Sequence, residues 1–200
     1  MAQLKQSVEQ APGAGIPEFQ FLTDEDWLHA AKDELVSETD YRRAFSALRD
    51  TAQRKFITML KRALAKYEQA SGGQFPAEVS QLQPYFDSPV DAAILERWAV
   101  LPQKSVPSVN VGDWIITQVA PVDEVLDKRN VIGSRGEGST DFLPQEIRET
   151  IGPLWSAFRL ANHGQEAADY SQLLPYATTP EQQAALQKLI LPSSSKESAR

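Results

Sequence analysis

The sequence predicts a mainly α-helical fold: a long helical hairpin plus two copies of a helix-turn-helix unit, with a small inserted β-ribbon. Three observations predict it. Apolar residues recur every three to four positions over residues 41–70, which is the spacing of one helical face. The 25 residues that start at Gly73 recur from Gly164 with 11 identities. Between these copies, short runs rich in Val, Ile and Trp are bounded by Pro, Gly and Asp, as strands are.

The hairpin begins after a lead-in. Residues 1–20 mix polar residues with Ala, Pro and Gly without an apolar period, which predicts a flexible segment. Thr23 followed by Asp26 has the form of a helix N-cap, and Leu22 can pack on Trp27 as a hydrophobic staple. We therefore expect a single domain from residue 21 to residue 191.

The two predicted helices of the hairpin carry opposite charge. Residues 23–40 hold seven acidic residues against one lysine, whereas residues 41–70 hold eight basic residues against two acids. Helices joined by a short connection usually pack antiparallel, which predicts that the two charges largely cancel. The alternative is a basic helix, residues 41–70, that binds an anion, a membrane surface or an acidic protein.

The internal repeat spans residues 63–97 and 154–188. In each copy a helix ends at glycine, a short turn carries the sequence SQLxPY, and a Ser-Pro or Thr-Pro pair starts the next helix. Ser88 and Thr179 are the predicted caps. A tyrosine shared by the copies can line a binding groove, but beside leucine and proline it more often packs in a core.

The remaining elements lie around the second copy. Residues 98–101, 106–111 and 114–119 are the predicted strands of the ribbon. A helix is expected from 144 to 161, with a kink or break at the Gly-Pro pair inside it. Residues 192–200 are expected to be a disordered tail.

Composition excludes several classes of function. The 200 residues are 42% hydrophobic and 24% charged, as in ordinary globular proteins. The absence of cysteine excludes disulfides and thiolate chemistry, and two histidines are too few for an imidazole zinc site. A net charge of −7 argues against nucleic-acid binding. The chain as given shows no signal or apolar span, so the expected compartment is the cytoplasm, or the cell envelope if Met1 is a trimmed start.

The stretch GSRGEGST, residues 133–140, falls one residue short of a phosphate-binding P-loop. Ser139 stands where the pattern GxxxxGK[ST] requires lysine, and Asp141 adds negative charge where an anion would sit. The stretch therefore predicts a glycine-rich turn.

Five carboxylates gather within nineteen residues of this region. Closely placed carboxylates can bind calcium or hydrolyse a glycosidic bond, but the spacing matches no EF-hand, and acids beside glycines are usually solvated. No GxSxG motif is present either. A carboxylate-based hydrolase or a calcium-dependent binder is thus an alternative, and its candidate residues are Asp123, Glu124, Asp127, Glu137 and Asp141.

The junction ALAKYEQASGGQFPAEVSQLQPYF, residues 63–86, resembles the helix-to-loop junction of type IV pilin-like proteins and pseudopilins. In that family a long amphipathic helix ends near a glycine and is followed by a proline and a short leucine-containing turn. The resemblance implies a pilin-like component of the bacterial cell envelope as a further alternative.

The sequence favours a non-catalytic structural or protein-interaction module that uses no cofactor and binds a protein whose identity the sequence does not show. Its contact surface would be the face of the long helix or grooves between the duplicated units. The candidate interaction residues are Arg42, Arg49, Lys55, Arg62, Lys66, Tyr85 and Tyr176.

Overall fold

The computed structural model describes residues 2–10, 14–32 and 35–190. The chain divides into two compact units, residues 1–142 and 143–200, and each is described by itself. Helix makes up about 56% of the described residues, beside a four-stranded antiparallel sheet. The prediction of a mainly α fold is therefore wrong, and the protein is mixed α/β. Two of the four strands were not predicted, and the glycine-rich one of them has little intrinsic β propensity.

The elements follow the chain in a simple order. The described residues of the first unit form α1 (Ala2–Gln10), a 3₁₀ helix (Pro17–Phe21), α2 (Asp24–Ala30), α3 (Glu38–Ala70), a 3₁₀ helix (Val79–Tyr85), α4 (Ala92–Leu95), β1 (Trp98–Pro102), a 3₁₀ helix (Gln103–Ser105), β2 (Trp114–Gln118), β3 (Lys128–Gly133) and β4 (Gly136–Asp141). Those of the second unit form α5 (Gln145–Ala161), a 3₁₀ helix (Tyr170–Tyr176) and α6 (Pro180–Ile190).

The described part of the first twenty residues is folded, in contrast to the predicted flexible lead-in. Leu4 of α1 is buried in one cluster with Trp27 and Leu48. Glu18 is also buried, and its carboxylate accepts a hydrogen bond from Trp98 Nε1 at 3.1 Å. The partners of this segment come from distant parts of the chain, so a local reading of residues 1–20 could not find them.

The predicted long helical hairpin is wrong, because the acidic stretch is shared between two helices. Thr23 and Asp26 form the predicted capping box at the start of α2, but α2 has only seven residues. A second capping box, formed by Ser37 and Asp40, starts α3. The last acids of the stretch, Glu38 and Asp40, thus lie in the first turn of α3, where they interact favourably with the helix dipole.

The sheet is an antiparallel meander in the order β1-β2-β3-β4. The predicted ribbon strands at residues 98–101 and 114–119 correspond to β1 and β2. Residues 106–111, the third predicted strand, are instead part of a loop whose Val106 and Val111 are buried against β2 and β3. The half of the sheet that the sequence analysis did not predict is the hairpin of β3 and β4.

GSRGEGST is the turn and second strand of that hairpin. Gly133 pairs with Gly136 across a two-residue turn, and the strand continues to Asp141. The glycines answer a packing need, because a Cβ at Gly133 would lie 2.2 Å from the Val111 carbonyl oxygen. A Cβ at Gly138 would lie 2.5 Å from the side chain of Val109. The loop of residues 103–112 can approach the sheet this closely only over glycine.

The main core lies between α3 and one face of the sheet. Phe56 and Leu60 of α3 are fully buried in a cluster with Ile116 and Ile132 of the sheet. Leu82, from the 3₁₀ helix after α3, belongs to the same cluster. The 33-residue α3 is therefore the spine of the first unit, as its apolar period predicts.

The second unit has a small core of its own. α5 is one helix that contains Pro153, rather than two helices divided there. Its Ile151 and Leu154 are buried, as are Tyr170, Leu173 and Leu186 from the elements that follow. The predicted tail, residues 192–200, lies outside the described residues.

The two copies of the repeat share their helix end and their 3₁₀ helix at the offset of 91 residues. Gly73 and Gly164 both have left-handed backbone, with φ of 86° and 84°. The 3₁₀ helices Val79–Tyr85 and Tyr170–Tyr176 coincide residue for residue at that offset. The copies differ at the predicted caps. Thr179 accepts a hydrogen bond from Gln182 N at 3.2 Å, whereas the next helix of the first copy is capped by Asp91 in place of Ser88.

Candidate functional site

The basic residues of α3 lie in ion pairs with carboxylates from several elements. Among the described residues, six of the eight cations have a carboxylate within ion-pair distance: Arg42 with Asp123, Arg49 with Asp127, Arg54 with Asp50, Lys55 with Asp26, Lys61 with Glu137 and Lys66 with Asp87. Of these six pairs, one uses an acid from residues 23–40, and three use acids from residues 123–137. Most of the balancing charge thus comes from beyond the acidic stretch that the sequence placed opposite α3.

The pair of Arg49 and Asp127 lies in the interior. The Arg49 side chain is 3% exposed, and its Nε and Nη2 donate to the Asp127 carboxylate at 3.0 and 2.7 Å. Asp127 also accepts hydrogen bonds from the backbone N–H groups of Val122 and Asp123. Arg49 Nη1 donates to the Ala14 carbonyl at 2.9 Å. Both residues are thus held by several bonds each, which is what a buried charge requires.

Asp123 forms a second, more exposed pair beside it. Arg42 donates to both carboxylate oxygens of Asp123, at 2.9 and 3.0 Å. Burial alone would raise the pKa of Asp123, but the bonds from Arg42 and from the backbone N–H groups of Leu126 and Val125 lower it. Asp123 therefore stays ionised and anchors the turn of residues 124–126 in the loop before β3.

The five acidic candidates do not converge on one point. Asp123 and Asp127 bind arginines of α3, Glu137 binds Lys61, and Asp141 binds Lys128. Glu124 is exposed. Within residues 2–10, 14–32 and 35–190, no group of three or more histidines and carboxylates is placed to hold a metal ion.

The remaining cations among the interaction candidates, Lys55, Arg62 and Lys66, each lie near a single carboxylate. Burial would raise the pKa of Asp26, but hydrogen bonds from Lys55 and Thr23 lower it to about 2. Lys66 lowers the pKa of Asp87 in the same way, with a smaller electrostatic contribution from Arg62. Each of these charges therefore has an acid near it.

The two tyrosine candidates pack on the helices that precede them. Tyr85 meets Tyr67 edge to face with ring centroids 5.4 Å apart, and Tyr176 meets Phe158 at 5.7 Å. Both are partly exposed. Their shared role is to fix each 3₁₀ helix against the end of its helix.

A cavity of about 320 Å³ lies between α3 and the outer strand β4. We call it the β4 groove. Arg54, Ile57 and Thr58 line it from α3. Glu137, Gly138 and Ser139 of β4 line it from the sheet, together with Asn130 of β3.

A buried polar network supports the groove. Asn130 Nδ2 donates to Gln53 Oε1 at 3.2 Å, and Gln118 Nε2 donates to the same oxygen at 2.9 Å. All three residues are buried between α3 and the sheet. Such a network is stable only when its members are satisfied, so it fixes the position of α3 over β3.

The backbone of β4 directs hydrogen-bonding groups outward. In an antiparallel pair, alternate residues turn both backbone groups away from their partner strand. Asn130, which lies opposite Ser139, is bound on its β2 side, where its N–H donates to Gln118 Oε1 and its carbonyl accepts from Thr117 Oγ1. By the same alternation, Ser139 and Glu137 turn their N–H and C=O groups to the outer side of β4. β4 is the last strand of the sheet that the described residues form.

Two ion pairs lie at the groove. Arg54 Nε donates to Asp50 Oδ2 at 2.8 Å, one turn back on α3. Lys61 lies 3.0 Å from Glu137 and joins α3 to β4. The site thus consists of an open strand edge beside a polar cavity with a charged rim.

Sequence reasoning missed this site because it assigned residues 133–140 to a turn. The groove residues Arg54, Thr58, Asn130 and Ser139 were not among its candidates. The alternation of small and polar residues in GEGSTD is the one local signal of a strand, and its glycines weaken it.

The comparisons with known proteins identify no relative. No family model, curated protein or solved structure matches the chain. Helices long and apolar enough to cross a lipid bilayer do not occur in the described parts of the chain.

Proposed function

We propose that this chain is a non-catalytic protein-interaction module, and that its first unit binds an extended segment of a partner protein as a fifth strand beside β4. The observation that carries the proposal is the combination of an outer strand with outward backbone groups and a cavity next to it. Strand addition uses these two features: the backbone bonds give affinity, and a pocket for alternate side chains gives specificity.

The alternation of the sheet defines how the segment would lie. A residue that pairs with Ser139 donates to its carbonyl and accepts from its N–H. The side chain of that residue points to the same face of the sheet as Ser139, whose side chain lines the β4 groove. One side chain of the partner therefore enters the groove, and its neighbours along the segment point to the other face.

The charges of the site favour this function over the alternatives. A calcium site or a pair of catalytic carboxylates needs carboxylates that face a common point, and four of the five acids of residues 123–141 are held by separate cations. An anionic surface would need several cations of α3 at once, and six of these cations already pair with acids. A strand that pairs with the outward backbone groups of β4 breaks none of these ion pairs.

The experiment uses a phage-displayed library of random peptides, selected on the full chain. We expect enriched sequences, and we expect Ser139→Pro to lower the affinity of a synthetic enriched peptide about tenfold, measured by calorimetry. Proline removes the N–H of Ser139 and crowds the edge, and the loss of one or two backbone bonds of about 1 kcal/mol each accounts for this factor.

Ser139→Ala is the matched control, because it leaves the backbone groups intact and should bind nearly as the wild type does. Proline is tolerated in edge strands when its N–H would face outward, so both variants should show wild-type circular dichroism. If no sequence is enriched, or if Ser139→Pro binds the peptide as tightly as Ser139→Ala, the proposed function is wrong.

A further inference from the structure

We infer that the side chain which the partner places in the β4 groove is a carboxylate, aspartate or glutamate, and that Arg54 binds it. This inference rests on the proposed function and adds its specificity. It follows from the hydrogen-bonding groups that line the groove.

Arg54 brings more donors to the groove than its partner uses. A guanidinium has five N–H donors and no acceptor. The described contact of the Arg54 side chain is the bond from Nε to Asp50 at 2.8 Å, and the side chain is 67% exposed. The terminal nitrogens Nη1 and Nη2 form the flat fork that matches a carboxylate, in an accessible position.

The acidic residue of the groove is already balanced. Glu137 lies 3.0 Å from the ammonium group of Lys61. A basic side chain from the partner would have to displace Lys61 or share its carboxylate, whereas an acidic side chain gains Arg54 without breaking the pair. Arg54 is also paired, with Asp50, but that bond uses Nε alone, so the terminal nitrogens can receive an incoming anion without breaking it.

The other lining groups suit a side chain with a short apolar stem. Ile57 offers an apolar wall on the α3 side, and the hydroxyl of Ser139 can donate to a second carboxylate oxygen. The hydroxyl of Thr58 is engaged by the Arg54 carbonyl at 3.1 Å. A volume of about 320 Å³ is ample for one glutamate and the water that accompanies it.

A second copy of this chain is a poorer occupant. Antiparallel pairing of two β4 strands around Ser139 would place Glu137 of each copy opposite Asp141 of the other, and like charges directly opposite are destabilising. Acids on an edge strand are a common defence against such self-association.

The test takes an enriched peptide from the phage selection and compares it with a version in which its aspartate or glutamate is replaced by the amide. On the wild type we expect the amide to bind about fivefold more weakly, as for a charge-assisted bond at a partly exposed site. Arg54→Gln should lower the affinity of the acidic peptide by a similar factor. The Arg54→Gln variant should bind the acidic peptide and its amide version with equal affinity, because it lacks the guanidinium that distinguishes the two side chains.

Arg43→Gln is the matched control, because Arg43 is an exposed arginine of the same helix that does not line the groove. It should retain the difference between the two peptides. If enriched sequences lose affinity with Ser139→Pro but show no acidic residue, or if they show a basic one, the inference is wrong and the proposed function stands. If the selection yields no sequence, both are wrong. If the full chain self-associates and Ser139→Pro abolishes this self-association, the inference is also wrong, because the occupant of the β4 edge is then a second copy of the chain.

Discussion

The two copies of the repeat use one local structure in two different settings. In each, the helix ends on a left-handed glycine whose N–H bonds back to the helix: Gly73 to the Glu68 carbonyl at 2.7 Å and Gly164 to the Arg159 carbonyl at 2.8 Å. A glutamine of each 3₁₀ helix then accepts a hydrogen bond from a backbone N–H at the start of its turn: Gln81 Oε1 from Ala77 and Gln172 Oε1 from Ala168.

The copies separate where their local structure ends. The first continues into α4, a helix of four residues, and then into β1, whereas the second continues into the 11-residue α6. The residues after Leu95 include Trp98 and Val100, which favour a strand, whereas the residues after its counterpart Leu186 begin with Gln, Lys and Leu, which favour a helix. The turn is therefore encoded within the repeat, and the length of the next helix depends on residues that the copies do not share.

The largest expected effect tests whether the two turns have equivalent anchors. Leu82 and Leu173 occupy the same repeat position, and both are fully buried. We expect Leu82→Ala and Leu173→Ala each to lower the free energy of unfolding of its own unit by about 2–5 kcal/mol. Hydrogen exchange measured by mass spectrometry over the two 3₁₀ helices would report each unit separately.

The matched controls are the exposed neighbours at the next repeat position, Gln83→Ala and Leu174→Ala. Both should change stability by less than about 0.5 kcal/mol. A large effect of Leu82→Ala together with a small effect of Leu173→Ala would show that the second turn is not anchored as the first one is.

A smaller effect is expected at the glycines that end the helices. Gly73→Ala and Gly164→Ala should each cost about 1–2 kcal/mol, because a residue with a Cβ is strained in the left-handed conformation. A Cβ at either position meets no atom within 4 Å, so the backbone alone sets the cost and the two values should agree. Urea denaturation of each variant would measure it.

Gly152→Ala provides the contrasting control. Gly152 lies within α5 and a Cβ there also meets no atom within 4 Å. This variant should change stability by less than about 1 kcal/mol, because the higher helix propensity of alanine opposes the crowding of its Cβ by Pro153, the next residue. A loss at Gly152 equal to the losses at Gly73 and Gly164 would show that the cost has another source.

The smallest effect distinguishes the copies by their caps. Thr179→Ala should destabilise the second unit by about 1 kcal/mol, because the Thr179 side chain caps α6. Ser88→Ala, at the same repeat position, should change stability by less than about 0.5 kcal/mol, because Asp91 caps the next helix instead.

Asp91→Ala is the complementary variant, and it should cost about as much as Thr179→Ala, because Asp91 Oδ1 accepts the Ala93 N–H at 2.9 Å. Thermal unfolding followed by circular dichroism would measure all three variants. Equal losses for Ser88→Ala and Thr179→Ala would contradict the difference between the copies.

Features set by neighbouring residues could be predicted from the sequence, and features set by distant residues could not. The capping box of Thr23, the end of α3 near Gly72 and the apolar face of α3 all follow from short spacings. The strand β4 could not be predicted, because its glycines are required by the loop of residues 103–112, some thirty residues earlier.

The candidate site shows the same limit. The sequence singled out the basic residues of α3 and the acids of residues 123–141, but it assigned them to separate surfaces. The structure joins the two sets through pairs such as Arg49 with Asp127, separated by 78 residues. Glu137 and Asp141 of β4 were among the acids singled out, but the strand itself was not predicted, so its backbone edge was not a candidate.

These long separations have a consequence for how the protein is made. Glu18 and its partner Trp98 are separated by 80 residues, and Arg42 and its partner Asp123 by 81. The first unit therefore cannot complete its fold until the ribosome has synthesised and released the chain beyond β3. Until then the apolar face of the newly synthesised α3 stays exposed to solvent. The second unit has no such delay, because contacts such as that of Asn162 with Tyr176 join residues only 14 apart. We therefore expect the later part of the chain to fold almost as it emerges, and the earlier part to be the one that needs chaperones.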